Sequence, residues 1–493
     1  MSAEEWLQPQ SSGSVVRRAG LRALAVLGAS QLVKLTVNLA GILVLVRLLQ
    51  PEAFGLAAMT SLLMNLILLL KDFGLGTASV QSSCLSQRQA STLFWLAQLG
   101  GVGFCAVGLA VAPLLSRLFG EPEISSALMV LSAGFLLSTL GSQHAALLSR
   151  NFRFARMGAI EIAALCVAFG VAFILASLGH GWWSLVWQRM AQLAVTTIGV
   201  WLGCSWRPSW QFSLKDVRSQ INLSMHVTGA NVAGYVSRNA DNLLIGWHWG
   251  ATSLGLYSKA YDLLMAPLSQ IATPLGQTLQ PVLGRLRDDP QRFRILLTHA
   301  VSGSLLILLP VGTLMAWQSV GVTRVLLGEP WISAAPVVSW FGLLVCFHLC
   351  GSVLTWSLIS RHRGVDLSKT TFVNATINVV GFAISVPFGI VAVAATYTIL
   401  GAFFRMPYFL YACSGDELFP RASAFRTLRL PVLAFVVLSA LYHALERSEA
   451  LPATPGWQSL LWQLTAGYVL LTLLILPTSL GRFALSRGRL GED

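Results

Sequence analysis

The sequence predicts an all-α polytopic membrane protein of about fourteen transmembrane helices, and three observations predict it. Hydrophobic residues make up 55% of the chain and charged residues only 11%, where an ordinary soluble domain carries about 25% charged residues. Apolar runs recur from residue 24 to residue 480, each close to the ~20 residues that cross ~30 Å of hydrocarbon. Lys and Arg gather in alternate loops, the asymmetry that orients helices in a bilayer.

The runs follow in order. The first, 24–46, has a basic flank of Arg17, Arg18 and Arg22. It is too long for the apolar region of a cleaved signal and continues directly into the second, 53–72. Runs at 92–114, 124–146, 158–178 and 182–203 come next, interrupted by charge or by Gly and Pro turns such as Gly120-Glu121-Pro122. After a basic stretch at 204–222 the pattern resumes at 224–246, 255–280, 296–317, 335–359, 370–388 and 391–412, the last two divided around Pro387 to Ile390. Two further runs, 429–446 and 458–480, complete the set. An even number returns both termini to one side.

The formal charge of +13 raises the question of nucleic acid, and the positions of the cations answer it. Twenty-five Lys and Arg residues fall on the side that holds the termini, against Arg47, Arg117, Arg324 and Arg447 on the other. The charge therefore reports topology, with both termini cytoplasmic, and no nucleic-acid partner is expected.

A repeat about 200 residues long organises the chain. Aligning residue n with n+200 sets LVLVRLLQPEAFGLA (43–57) over LLIGWHWGATSLGLY (243–257), matching Leu43 with Leu243, Gly55 with Gly255 and Leu56 with Leu256. Both stretches join the first and second spans of a six-span block, which gives two halves of one orientation. The chain divides into an N-lobe (20–203), a cytoplasmic linker (204–222), a C-lobe (223–412) and two additional spans (426–482). No loop is long enough for a nucleotide-binding fold and no G-x-x-x-x-G-K-[ST] occurs, so no ATP-driven mechanism and no cofactor are expected. Seven cysteines are scattered without zinc-like spacing. Cys346 and Cys350 share a helix face that His348 does not, so no metal is expected.

Charged residues inside five of the runs are the functional signal. At 100° per residue, Ser224, Asn231, Tyr235, Arg238 and Asn242 share one face, with Asp241 at its edge. In the next run Lys259, Asp262, Gln270, Thr273 and Gln277 share another. The N-lobe carries a weaker version: Ser30, Gln31, Lys34, Asn38 and Gly41 on the first run, Ser61, Asn65 and Asp72 on the second, and Arg189 with Gln192 and Thr196 on the sixth. Charges facing lipid would cost several kcal/mol each, so these faces line a water-filled cavity or meet partner helices. Arg238/Asp241 and Lys259/Asp262 are spaced i, i+3, so mutual neutralisation within one helix is an equal alternative. Lys34 and Arg189 have no carboxylate at i±3 or i±4, which leaves cations for an anion elsewhere. Glu161 and His144 read as structural.

RLLQPEAFGLAAM (47–59), DFGLGTASVQ (72–81), SRNADNLLIGWHWGATSLGLYSKAYDLLMAPL (237–268) and LQPVLGRLRDDPQRFR (279–294) resemble the polysaccharide transporter family. More narrowly, they are similar to its Wzx-type lipid-linked oligosaccharide flippases, in the colanic-acid and exopolysaccharide branch. The resemblance implies the multidrug/oligosaccharidyl-lipid/polysaccharide exporter fold, two six-helix lobes around a central cavity. It implies a non-enzymatic flippase of the bacterial inner membrane that moves undecaprenyl-pyrophosphate-linked repeat units by alternating access. Partners implied are the lipid-linked anionic oligosaccharide, membrane lipid, and a polysaccharide polymerase and glycosyltransferases. Trp247-His248-Trp249 departs from the pattern, which usually has smaller or basic residues there, and reads as an interfacial anchor.

On this reading Lys34, Arg189, Arg238 and Lys259 offer charge to the pyrophosphate, and Asn38, Asn231, Tyr235 and Gln270 meet sugar hydroxyls. Asp72, Asp241 and Asp262 are candidates for coupling to a proton or cation. The alternatives are an ion-coupled multidrug antiporter of the same fold, whose cavity would favour carboxylates, and a lipid II flippase.

Overall fold

The structure is a computed structural model that describes residues 6–7, 13–71, 79, 85–213, 234–235, 238–447 and 456–475. It is nearly all helical. Among the described residues, ten helices are long and apolar enough to cross a membrane. Packing divides the chain into two compact units, Met1–Gly255 and Leu256–Asp493.

The first unit contains α1 (Gly13–Leu48), α2 (Pro51–Lys71), α3 (Gln87–Phe119), α4 (Glu123–Arg150), α5 (Phe154–Ser177) and α6 (Trp183–Gly203). It ends in the first arm of α7 (Ala240–Arg285), which Gly250 breaks with φ 73° and ψ −173°. Sequence chemistry sets the ends. Ser86 and Gln89 form a reciprocal capping box at the start of α3, and Gly120, at φ 71°, closes it with its N–H on the Ser116 carbonyl, satisfying groups a helix terminus otherwise orphans. Helices in lipid gain little from burying apolar surface against one another, so close backbone approach and interhelical polar contacts hold them. In keeping with that, Gly101 of α3 leaves room for Thr139 of α4, and Gly108 for Ser132. Where the helices emerge, Leu93, Phe94, Leu147, Leu148, Val200 and Trp206 form an apolar cluster.

Two tight connections, of two residues and of one, lie against each other. α1 and α2 are joined through Leu49 and Gln50, and the arms of α7 meet at Gly250. A Cβ on Gly55 would lie 1.7 Å from the Ala251 carbonyl oxygen, and one on Gly255 would lie 1.9 Å from the Pro51 carbonyl oxygen. The contact is reciprocal under the 200-residue offset, which carries Pro51 onto Ala251 and Gly55 onto Gly255.

The second unit continues α7 and adds α8 (Pro290–Trp317), α9 (Ser319–Leu326), α10 (Ala335–Ser360), α11 (Gly364–Ser385) and α12 (Ile390–Ile399). A π-helical stretch, Leu400–Arg405, leads into α13 (Met406–Cys413), and α14 (Arg421–Arg426), α15 (Arg429–Arg447) and α16 (Trp457–Ile475) follow. Asp289 caps α8, accepting from Arg292 N–H with Pro290 in the first turn, where its missing N–H costs nothing. α8 packs on α10 by a Gly312–Gly342 backbone approach. The last two helices dock on α8: the buried Tyr442 donates to the Pro310 carbonyl at 3.4 Å, and Tyr468 to Ile307 at 2.9 Å. Gly389, at φ 102°, separates α11 from α12 within the Pro387–Ile390 stretch.

A similar three-residue turn occurs in each unit. Asn151, Phe152 and Arg153 link α4 to α5, and Arg361, His362 and Arg363 link α10 to α11. Phe152 and His362 have φ 54° and 56°, the two non-glycine residues with positive φ among those described. Each first residue turns its side chain back onto the helix it ends, Asn151 to the Leu147 carbonyl at 2.9 Å and Arg361 to the Ser357 carbonyl at 3.2 Å.

α2, α6 and α7 stand where the sequence expected runs and are not among the ten long apolar helices. In α6 the polar residues Gln188, Arg189 and Gln192 lower the hydropathy.

Candidate functional site

In the first unit, α1 packs on α5 through its polar face, with Gly41 against Phe169 and Ser30 against Gly158. That face brings Lys34 to Glu161, Nζ to Oε2 at 2.5 Å, the lysine largely covered and the carboxylate 44% exposed. Lys34 thus finds on α5 the carboxylate its own helix lacks. Asn38 sits half-buried one turn further along α1.

Arg189 of α6 is half-buried and donates from Nη1 to Gln192 Oε1 at 3.1 Å. Among the described residues no carboxylate pairs with it. Tyr235 donates to the Leu62 carbonyl of α2 at 3.0 Å and hydrogen-bonds the Asn65 side chain. Arg238 is exposed, its guanidinium over Gly234. Asp241 is 4% exposed, and its Oδ1 accepts the Asn242 N–H at 2.8 Å. The two members of that i, i+3 spacing therefore occupy different environments. Asp72 and Asn231 lie outside the described residues, as does the side chain of Gln270.

In the second unit Lys259 and Asp262 do pair within the helix, at 2.8 Å. Thr273 and Gln277 are exposed further along α7. Outside the membrane-spanning helices, Arg361 is held by Asp416 at 2.8 Å and the Cys413 carbonyl at 2.8 Å. Arg363 joins Asp416 to Asp366. Burial lowers the Arg361 pKa, with Asp416 opposing. The network pins the end of α13 to the α10–α11 turn.

One cation was read differently from sequence. Arg405 counts there with the cations on the side of the termini although it falls within the run 391–412, and the structure sets it inside the apolar helical stretch Ile390–Cys413, about 12 Å before its end at 1.5 Å per residue. Its guanidinium carbon lies 4.4 Å from the Tyr397 ring centroid, and Nη2 donates to the Tyr397 carbonyl at 3.1 Å. Phe341 and Phe382 pack on that tyrosine. Arg405 borders a cavity of about 280 Å³ with Phe347, His348, Ser352, Asn374 and Tyr397. The signal was available: a lone arginine in TILGAFFRMPYFLYA, amid apolar residues on both sides. Trp247 and Trp249 are exposed at the end of the first arm of α7, as an interfacial anchor requires.

A family model described as "Polysaccharide biosynthesis protein" matches residues 44–336. The chain is 25% identical over 330 residues to the lipopolysaccharide biosynthesis protein WzxC of Escherichia coli, covering 66% of each. It is 26% identical to the succinoglycan biosynthesis transport protein ExoT of Rhizobium meliloti, over 76% of this chain and 74% of that protein. The match to the teichuronic acid biosynthesis protein TuaB of Bacillus subtilis is 22%, over 57% and 60%. The chain thus spans about three fifths to three quarters of these relatives' lengths. Among solved structures, the lipid II flippase MurJ in an inward closed conformation aligns with a TM-score of 0.69 at 14% identity, over 92% of this chain and 98% of that one. An inward-facing multidrug resistance transporter of the MATE family aligns at 0.59 and 15% identity, over 84% and 96%.

Proposed function

Because the chain belongs to the polysaccharide biosynthesis protein family, we propose that it flips undecaprenyl-pyrophosphate-linked oligosaccharide repeat units across the bacterial inner membrane by alternating access. The product serves exopolysaccharide, capsule or lipopolysaccharide synthesis. The proposal includes fourteen spans with both termini cytoplasmic, an N-lobe over 20–203, a C-lobe over 223–412 and two additional spans over 426–482.

One observation carries the reading: among the described residues, Arg189 of α6, Arg405 of the Ile390–Cys413 stretch and Arg238, just before α7, meet no carboxylate. An intramembrane cation without a partner is expensive, and an anionic cargo is the partner that relieves it. A carrier for cationic drugs would show the opposite balance. Asn38 and Tyr235 supply hydroxyl-matching groups beside the cations, and Lys34 and Lys259 share their charge with Glu161 and Asp262. Asn231 and Gln270 keep their proposed place on the sugar, and Asp72, Asp241 and Asp262 remain the proposed coupling carboxylates.

The test is translocation of a fluorescent lipid-linked sugar in liposomes. Arg189→Ala with Arg238→Ala should slow it at least about tenfold, the cost of ~1.4 kcal/mol in transition-state binding. Unchanged rates in folded protein would remove the anion-binding role.

A further inference from the structure

The cavity of the second unit lies among α10, α11 and the π-helical stretch before α13, at the one described place where the regular helical hydrogen-bond ladder is widened. Such single-turn widenings concentrate at functional sites. Gly401, in this stretch, leaves room for the guanidinium: a Cβ there would stand 2.6 Å from Arg405 Nη2, so any larger residue would displace it. Arg405 is fixed on one side by Tyr397, through ring and carbonyl. Its Nε is buried and meets no partner among the described residues. Asn374 Oδ1, bordering the same cavity, is also buried and meets no partner among the described residues.

These two orphans have opposite polarity. The Arg405 Nε–H is a charged donor that needs an acceptor, and the Asn374 oxygen is an acceptor that needs a donor. Each buried group left unmatched costs about 1 to 3 kcal/mol. A simple anion would match the first and leave the second. A neutral sugar would match the second and leave the cation uncompensated. We infer that the cavity binds a monosaccharide unit carrying a carboxylate, with the carboxylate on Arg405 and a ring hydroxyl donating to Asn374. Ser352 offers a further hydroxyl contact, and Phe347 and Phe409 present apolar surface to the C–H face of the ring. The volume, about 280 Å³, is that of about nine waters at ~30 Å³ each, which suits one pyranose.

The assignment rests on the flippase reading only for the origin of the sugar. Its test is binding to the purified full chain in detergent, followed by thermal unfolding and calorimetry with glucuronate, glucose, acetate and inorganic phosphate. Glucuronate should bind saturably and at least about tenfold more tightly than the other three, and Arg405→Gln should abolish the response. Equal binding of glucose, acetate or phosphate, or an undiminished response in Arg405→Gln, would overturn the assignment. Should Arg405→Gln not fold, Ser352→Phe fills the cavity while leaving the Arg405–Tyr397 stack in place; it must lose glucuronate binding, and retention overturns the proposal. A protein that binds glucuronate yet moves no lipid-linked sugar would refute the flippase function and keep this site.

Discussion

A single residue shows how far neighbours can change a side chain's chemistry. Glu121 lies in the short connection between α3 and α4, outside both helices. Burial, with Glu52 and Glu123 nearby, raises its pKa above the usual 4.5. Because the native state then holds its proton more tightly than the unfolded chain, stability falls as pH rises from about 4.5 through the raised native value, and is level above it. Glu121→Gln should therefore melt higher than the parent above that window and match it below, as thermal unfolding in detergent across pH 4 to 8 will read; parallel curves would contradict the assignment. Residue-level reading of the sequence succeeded where the information was local. The angular clustering of Ser30, Lys34 and Gly41 foretold a polar face, and that face meets α5. The partner on α5 was not legible, since Glu161 stands 127 positions from Lys34 and periodicity describes one helix at a time. Arg405 was passed over for another reason: it was counted with the cations on the side of the termini, and the depth of a side chain within its helix is not in that count.

At the scale of elements, helix positions were legible because each must supply about 20 apolar residues and ends where Gly, Pro or charge intervenes. The division at Gly389 and the additional pair α15 and α16 followed from that rule. The Gly55/Gly255 register was legible too, but its purpose was not, since a sequence offset does not say that two matched residues face each other's backbone. The structure supplies the reason, a reciprocal approach too close for any Cβ. Gly55→Ala should therefore behave unlike an ordinary helix substitution, which favours Ala over Gly by about 0.5–1 kcal/mol. It should lower the melting temperature by several degrees in fluorescence-detected thermal unfolding, and Gly255→Ala should do the same. Gly103→Ala, with nothing within 4 Å of its Cβ, serves as the control that does not. Loss of folded protein in the control as well would show that the effect is not one of close approach.

The whole molecule is strongly basic, +13 over 493 residues, and the diphosphate headgroup of the proposed cargo would move against or with the membrane field. A potential of 100 mV, negative inside, is worth ~2.3 kcal/mol per elementary charge, so two negative charges moved outward across the full field gain roughly 4.6 kcal/mol. Imposing potassium diffusion potentials of either sign on proteoliposomes should accelerate outward flipping when the inside is negative and retard it when reversed. Equal rates would mean that the headgroup charge is neutralised by protein charge that travels with it. The turns at Asn151–Arg153 and Arg361–Arg363 share one backbone form, each with a left-handed middle residue.

That reciprocal glycine contact has a mechanical corollary. Chain ends clamped backbone to backbone, with one or two residues of connection and no slack, behave as a rivet: the starts of α2 and of the second arm of α7 cannot slide past each other without breaking it. Any bending of α2 against the residues just after Gly250 would therefore have to begin beyond this contact.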